Sequence, residues 1–183
     1  MLVNLRAVLA RVVDIVLLRA GPETLPASTG LLAIVVAVNV AVSALVTTFM
    51  PTAPQSWPLQ LLVGTVVTLV WFKLAFVLAN KRERFQQTAT AIFATTTLFL
   101  PALIPMVTAL LPYLGKPDPA VNPPAALSFL CALLALWLLI VQARIVRAAF
   151  EWPYFVAIIF IFGLNFASAL VYGVLFGVPP GSA

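Results

Sequence analysis

The sequence predicts an all-α integral membrane protein with five transmembrane helices and an N-terminal amphipathic helix. Of its 183 residues, 63% are hydrophobic and only 8% are charged, whereas a soluble domain typically carries about 25% charged residues. Five apolar runs are long enough to cross a membrane, because about 20 helical residues span a hydrocarbon layer of about 30 Å. Basic residues collect at alternate ends of these runs, which is typical of multispan proteins.

Residues 1–20 form the first predicted unit, a helix lying in the membrane interface. Arg11 and Asp14 interrupt the apolar run, which argues against a signal peptide. At about 100° per residue, Asn4, Ala7, Arg11 and Asp14 fall on one stripe, and Leu, Val and Ile fill the other faces. Three arginines are expected to face anionic lipid headgroups: Arg6, Arg11 and Arg19. The helix could also pack against the bundle, and the two interpretations are compatible.

A connector of residues 21–30 leads into the predicted five-helix bundle of residues 31–183. Gly and Pro end the preceding helix, because they disfavour or block further helical hydrogen bonding. The first span is uncharged, and Ala33, Ala37 and Ala41 form a strip where another helix could approach closely. The predicted spans are residues 31–50, 59–79, 88–114, 125–146 and 154–178.

The third span is expected to be irregular and to lie near the centre of the bundle. Pro101 and Pro105 interrupt it, and proline removes a backbone donor and clashes with the preceding turn. The result is either one kinked helix or two pieces. Broken helices form binding sites in transporters, although a purely structural kink is the alternative. Thr95 lies in the threonine-rich first half of this span.

The distribution of basic residues predicts the topology. If the segments alternate between two sides, one side collects Arg6, Arg11, Arg19, Lys81, Arg82, Arg84, Arg144 and Arg147. The other side collects only Lys116, and Lys73 lies inside a span. The positive-inside rule then predicts a cytoplasmic N-terminus and a C-terminus outside.

Three polar residues inside the predicted spans are candidate functional groups. Lys73 could bind an ion or a substrate, but it could also snorkel to the interface or pair with an acid such as Asp14. Asn39 and Asn165 could line a polar pathway, or could join helices by hydrogen bonds of about 0.6–2 kcal/mol each.

Two further patterns concern contacts with other molecules. Gly173 and Gly177 have the spacing of a close helix crossing, within the bundle or against a second copy. Lys81, Arg82 and Arg84 form the densest charged cluster of the chain, between the second and third spans. This cluster is expected to contact lipid headgroups, with docking of an acidic cytoplasmic partner as the alternative. Arg144 and Arg147 are expected to contact headgroups in the same way.

Catalytic and metal chemistry are not predicted. The chain has no His, five acidic residues and one Cys, so ligands for zinc, haem or di-iron sites are scarce. Cys131 lies inside an apolar run and is interpreted as a small hydrophobic residue. We expect a protein without cofactors, enzymatic activity or a nucleic-acid partner.

The layout of a basic amphipathic N-terminal segment followed by five packed spans resembles the Yip (Ypt-interacting protein) family. The likeness rests on the layout of residues 31–178. The segment Leu-Arg-Ala-Gly-Pro-Glu-Thr-Leu-Pro before the first span adds a local similarity. The Asp-Leu-Tyr-Gly-Pro signature of the eukaryotic members is absent, so the resemblance assigns no functional residues here.

These patterns together favour a non-enzymatic scaffold or accessory protein of a bacterial cytoplasmic membrane. It would act through anionic lipids and through contacts with another membrane protein or with itself. The alternative is a small oligomeric transporter or channel that uses the broken third helix and Lys73. An odd number of spans does not divide into a pair of inverted repeats, so this alternative would require oligomerisation.

Overall fold

The computed structural model describes residues 5–48, 55–110, 113 and 124–177. In this part of the chain, all regular structure is helical. The helices are α1 (Leu5–Val16), α2 (Thr29–Thr48), α3 (Trp57–Leu78), α4 (Phe85–Leu110), α5 (Ala125–Phe150) and α6 (Tyr154–Phe176). Short 3-10 turns at Pro22–Thr24 and Arg82–Arg84 precede α2 and α4.

Four of these helices, α2, α3, α5 and α6, are long and apolar enough to cross a membrane. They carry few buried residues, so most of their apolar side chains face outward. A soluble protein rarely exposes such large apolar surfaces. The four helices therefore suggest a membrane protein, as the composition predicted.

The observed helices differ from the predicted spans mainly at their ends. α5 continues past residue 146 through Arg147 to Phe150, because long-chain residues such as arginine are good helix formers. It ends where Glu151 adopts a left-handed conformation (φ 62°) and Pro153 follows. Residues 1–4, 49–50, 111–112, 114 and 178, which belong to predicted helices, lie outside the described residues, as does Lys116.

α4 is the helix around which the others pack. It contacts α1, α2, α3 and α5, and Thr88–Phe93 are all buried. It runs through Pro101 and Pro105 as one helix of 26 residues rather than as two pieces. Outside the bundle centre, α6 packs on α5 and α3.

α1 lies against α4 and α5 through one apolar face. Val8, Val12 and Ile15 are buried there, whereas Leu9 and Val13 are exposed. Hydrogen bonds attach the connector after α1 to the start of α4 and to α1 itself. Gln87 donates to the carbonyl of Leu25 (2.8 Å), and Arg11 donates to the carbonyl of Thr24.

We call the side of the bundle that carries the α3–α4 loop and the α5–α6 turn the basic end. Ion pairs and hydrogen bonds of its charged groups join the α3–α4 loop to the α5–α6 turn. Lys81 Nζ lies 2.7 Å from Glu151 Oε2 and donates to the carbonyl of Phe150 (3.0 Å). Arg84 lies 2.8 Å from Glu151 Oε1 and donates to the carbonyl of Ala149 (3.2 Å). Both cations therefore cap the C-terminus of α5, where free carbonyls and the helix dipole favour positive charge.

Candidate functional site

A polar cavity of about 350 Å³ lies between five helices. It is unusual in this chain because amide and hydroxyl groups line it, whereas most side chains are apolar. The lining residues are Asn39 from α2; Leu61, Gly64, Thr65 and Thr68 from α3; Ile92, Phe93 and Thr96 from α4; Gln142 from α5; and Leu164, Asn165, Ser168 and Tyr172 from α6. We call this space the polar cavity.

The polar cavity lies at mid-depth in the bundle, because its lining residues on α4 and α5 are about 10–17 Å from the basic end and those on α3 and α6 are about 15–27 Å from it. On α3, its lining residues end at Thr68, ten residues before Leu78, which corresponds to about 15 Å of helix. On α6, the lining begins at Leu164, a similar distance after Tyr154. Asn39 and Thr96 lie near the middle of their helices, and Gln142 lies eight residues before the end of α5.

Asn39 is buried and joins α2 to α4. Its side-chain nitrogen donates to the hydroxyl of Thr97 (3.0 Å) and approaches the carbonyl of Phe93 (3.5 Å). The Thr97 hydroxyl donates its own proton to the same Phe93 carbonyl (2.7 Å), so it acts only as acceptor toward Asn39. This arrangement fixes the amide orientation: the nitrogen faces α4, and the oxygen remains free to accept.

The amides of Gln142 and Asn165 are oriented in the same way as that of Asn39. The Gln142 nitrogen is 3.5 Å from the Thr96 hydroxyl, whose proton is donated to the carbonyl of Ile92 (2.9 Å). The Asn165 nitrogen donates to the carbonyl of Ile161 on its own helix (2.8 Å). In each case the nitrogen makes the hydrogen bond, and the amide oxygen is left as an acceptor.

Tyr172 approaches α3 very closely because Gly64 has no side chain. The Tyr172 hydroxyl donates to the carbonyl of Gln60 (3.1 Å), directly over Gly64. A Cβ atom at position 64 would lie 2.1 Å from the Tyr172 hydroxyl oxygen. Gly64 therefore permits the contact that joins α3 to α6 at this part of the cavity.

Aromatic rings separate the polar cavity from the basic end. Phe76 stacks on Phe150 (centroids 4.2 Å apart), and Phe150 stacks on Trp152 (4.3 Å). Phe72 contacts Phe160 edge to face at 5.3 Å. Phe72 and Phe76 are 1% and 0% exposed. Phe150, Trp152 and Phe160 also line a second cavity of about 620 Å³, next to Lys81. We call Phe72, Phe76, Phe150, Trp152 and Phe160 the aromatic seal.

The sequence-predicted polar candidates are only partly brought together. Asn39 and Asn165 both line the polar cavity. Lys73 does not; it is exposed, and its ammonium lies over the ring of Phe85, 4.9 Å from the centroid. Thr95 is fully buried and bonds the carbonyl of Ala91 on its own helix (2.8 Å).

The two prolines and the two glycines also lie outside the polar cavity. Pro101 and Pro105 are exposed on the distal half of α4. Gly177 is the C-cap of α6, with φ 66°, and its amide donates to the carbonyl of Gly173 (3.1 Å). Glycine is favoured at such a left-handed cap because other residues are strained there.

The predicted headgroup-contacting residues have different surroundings. Arg6, Arg19 and Arg82 are exposed, and Arg144 is half-buried. Arg147 lies over the ring of Tyr154, 4.6 Å from its centroid. Lys81 and Arg84 both form ion pairs with Glu151. Their hydrogen bonds lower the pKa of this exposed carboxyl, and the bond from Lys81 has the larger effect.

Sequence reasoning missed most of the cavity lining. Gln142 lies close to the predicted end of the fourth span and two residues before Arg144, so its position did not indicate a polar site. Thr68, Thr96, Ser168 and Tyr172 carried no signal of their own, since single hydroxyls are common in apolar helices. The available signal was their shared depth: polar residues occur near the middle of α2 and α4, eight residues before the end of α5, and in the distal halves of α3 and α6.

Comparisons with known proteins gave no match among protein-family models, curated proteins or solved structures. The function is therefore argued from the polar cavity and its surroundings.

Proposed function

We propose that the protein binds a small polar solute in the polar cavity and passes it across a membrane. The observation that supports this proposal is the cavity itself: a space of about 350 Å³ with three amides, lying between otherwise apolar helices. Polar groups inside a membrane-embedded bundle are costly, and they commonly mark the pathway of a solute or ion.

The aromatic seal supports a gated pathway rather than an open pore. A solute would enter from the side away from the basic end and stop above Phe72 and Phe76. Passage would require α3 or α6 to move, because both helices contribute rings to the seal and polar groups to the cavity. α3 and α6 both pack on α4 less extensively than α2 and α5 do, which favours movement of these two helices.

The proposal includes the full topology. α4 is the fifth spanning helix, α1 lies in the interface on the basic side, and the basic end faces the cytoplasm of a bacterium. The positive-inside rule supports this orientation, because Lys81, Arg82, Arg84 and Arg147 share that end. Labelling an Arg82→Cys variant in a Cys131→Ser background with an impermeant maleimide tests it. Labelling in spheroplasts without lysis would contradict it.

A flux assay in proteoliposomes tests the proposed function. The full chain is reconstituted, and uptake of radiolabelled methylammonium, rubidium, urea and glycerol is compared with that of empty liposomes. We expect saturable uptake of one probe, reduced by Gln142→Leu. Phe166→Leu, at an exposed position of α6, is the matched control. Uptake equal to that of empty liposomes for every probe would contradict transport.

A second candidate function is a Yip-like scaffold for another membrane protein, and one observation favours it. Ala33, Ala37 and Ala41 are all exposed, so the small-residue strip of α2 faces away from the bundle. Such strips allow close helix approach. Ala37→Trp should abolish association with the partner membrane protein, measured by crosslinking in native membranes. Val38→Trp is the control and should leave the crosslinking unchanged. Unchanged crosslinking in both variants would contradict this function.

A further inference from the structure

The polar cavity offers many hydrogen-bond acceptors and few free donors. The hydroxyls of Thr65, Thr68 and Ser168 each donate to a carbonyl one turn earlier in their own helix, at 2.9 Å. The Thr96 hydroxyl does the same, and Tyr172 donates to the carbonyl of Gln60. Each hydroxyl proton is therefore used within the protein, and only the oxygen lone pairs remain for a ligand.

The three amides increase this excess of acceptors. Their nitrogens bond to Thr97, Thr96 and the carbonyl of Ile161, as described above. In the part of the chain that the structure describes, no donor bonds to the oxygens of Asn39, Gln142 or Asn165. An amide oxygen can accept two hydrogen bonds. The unused acceptor positions of the three amides therefore outnumber their unused N–H groups.

This surface discriminates between classes of ligand by charge. None of the described residues that line the cavity carries an ionised side chain. An anion would find no cation and few donors, whereas a cation would be coordinated by neutral oxygens, as in potassium-selective filters. A divalent ion is disfavoured, because calcium and magnesium sites generally include carboxylates. The volume of about 350 Å³ holds an ion with some of its water, since each water occupies roughly 30 Å³.

We infer that the polar cavity binds a small monovalent cation, an alkali metal or ammonium ion, through amide and hydroxyl oxygens. This inference rests on the proposed function and specifies its ligand. Asn165 is the most informative position, because it lines the cavity and is exposed, so the bundle tolerates its exchange.

Thermal unfolding of the full chain in zwitterionic nanodiscs tests the inference. Sodium, potassium, ammonium and methylammonium chlorides are titrated against N-methylglucamine chloride at constant ionic strength. We expect a saturable rise in Tm with at least one ion, because a ligand that binds only the folded state stabilises it. Asn165→Leu should weaken the apparent affinity at least tenfold, and Asn165→Asp should tighten it at least tenfold. Gln60→Leu, outside the lining, is the control.

The outcomes separate this inference from the proposed function. A saturable Tm rise with urea or glycerol but with no cation, lost in Asn165→Leu, would overturn the cation inference and leave solute binding intact. A cation effect that Asn165→Asp fails to tighten would also overturn it. No effect of any cation or neutral solute would overturn both.

Discussion

The side-chain nitrogen of Asn39 lies 3.0 Å from the hydroxyl of Thr97, although 58 residues separate them. This hydrogen bond fixes α2 to α4 beside the polar cavity, and it determines that the Asn39 oxygen is the group left for a ligand. The structural role and the proposed binding role of this amide therefore belong to different atoms, the nitrogen and the oxygen.

Removing either partner of this pair should destabilise the bundle. We expect Asn39→Leu and Thr97→Val each to lower the free energy of unfolding by about 0.6–2 kcal/mol, the range for interhelical hydrogen bonds in membranes. The double variant should cost less than the sum, because the same bond is lost in both. Thr97→Ser, which keeps the hydroxyl, is the control. Additive effects, measured by unfolding in detergent, would contradict the pairing.

Gly64 and Tyr172 form a second testable pair. Gly64→Ala should destabilise the protein by about 1–3 kcal/mol, because the new methyl group overlaps the Tyr172 hydroxyl and forces the ring to move. Tyr172→Phe removes that hydroxyl, so the double variant should recover much of the loss. Gly30→Ala, where a Cβ meets only the Ser28 hydroxyl at 3.8 Å, is the control. If Gly64→Ala lowered the free energy of unfolding equally in the wild type and in the Tyr172→Phe variant, the proposed steric cause would be contradicted.

Glu151 should give the basic end a pH dependence. Its pKa is lowered in the folded state by Lys81 and Arg84. Its stabilising contribution is therefore complete above the ordinary carboxyl pKa, and it disappears as the pH falls through the lowered value. Glu151→Gln should reduce this acid sensitivity of Tm, whereas Glu83→Gln, in the same end, should retain it. Identical pH profiles for wild type and Glu151→Gln would contradict the role of the ion pairs.

The aromatic seal should limit leakage. Phe72→Ala removes a ring that is 1% exposed between the polar cavity and the basic end. We expect a several-fold increase in passive methylammonium leak through proteoliposomes. Phe162→Ala, which removes an exposed ring from α6, should leave the leak unchanged. An equal leak in the two variants would show that Phe72 does not close the pathway.

The sequence was sufficient to predict an all-helical protein with apolar helices of membrane-spanning length, because long apolar runs depend on local chemistry. α5 extends beyond the predicted span to Phe150, since the charge of Arg144 and Arg147 marks a change of environment rather than the end of a helix. Helix ends depend on backbone conformation, which Glu151 and Pro153 set here.

The polar cavity could not be predicted, because it depends on how each helix is rotated about its axis. The strip of Ala33, Ala37 and Ala41 illustrates the difficulty. Its spacing places the three residues on one face of α2, but it does not determine whether that face meets the bundle, and all three are exposed. The same ambiguity applies to Gln142 and Asn165, whose common orientation arises only when α4, α5 and α6 have packed.

One-sided access to the polar cavity is the central claim, and cysteine accessibility tests it most directly. Asn165→Cys, made in a Cys131→Ser background, is exposed to an impermeant, positively charged methanethiosulfonate from each side of oriented membranes. Phe166→Cys, on the exposed apolar face of α6, is the control. We predict rapid modification of Asn165→Cys only from the side away from the basic end, and little modification of Phe166→Cys. Modification of Asn165→Cys from the basic side, or from neither side, would contradict a cavity that is open at one end and sealed at the other.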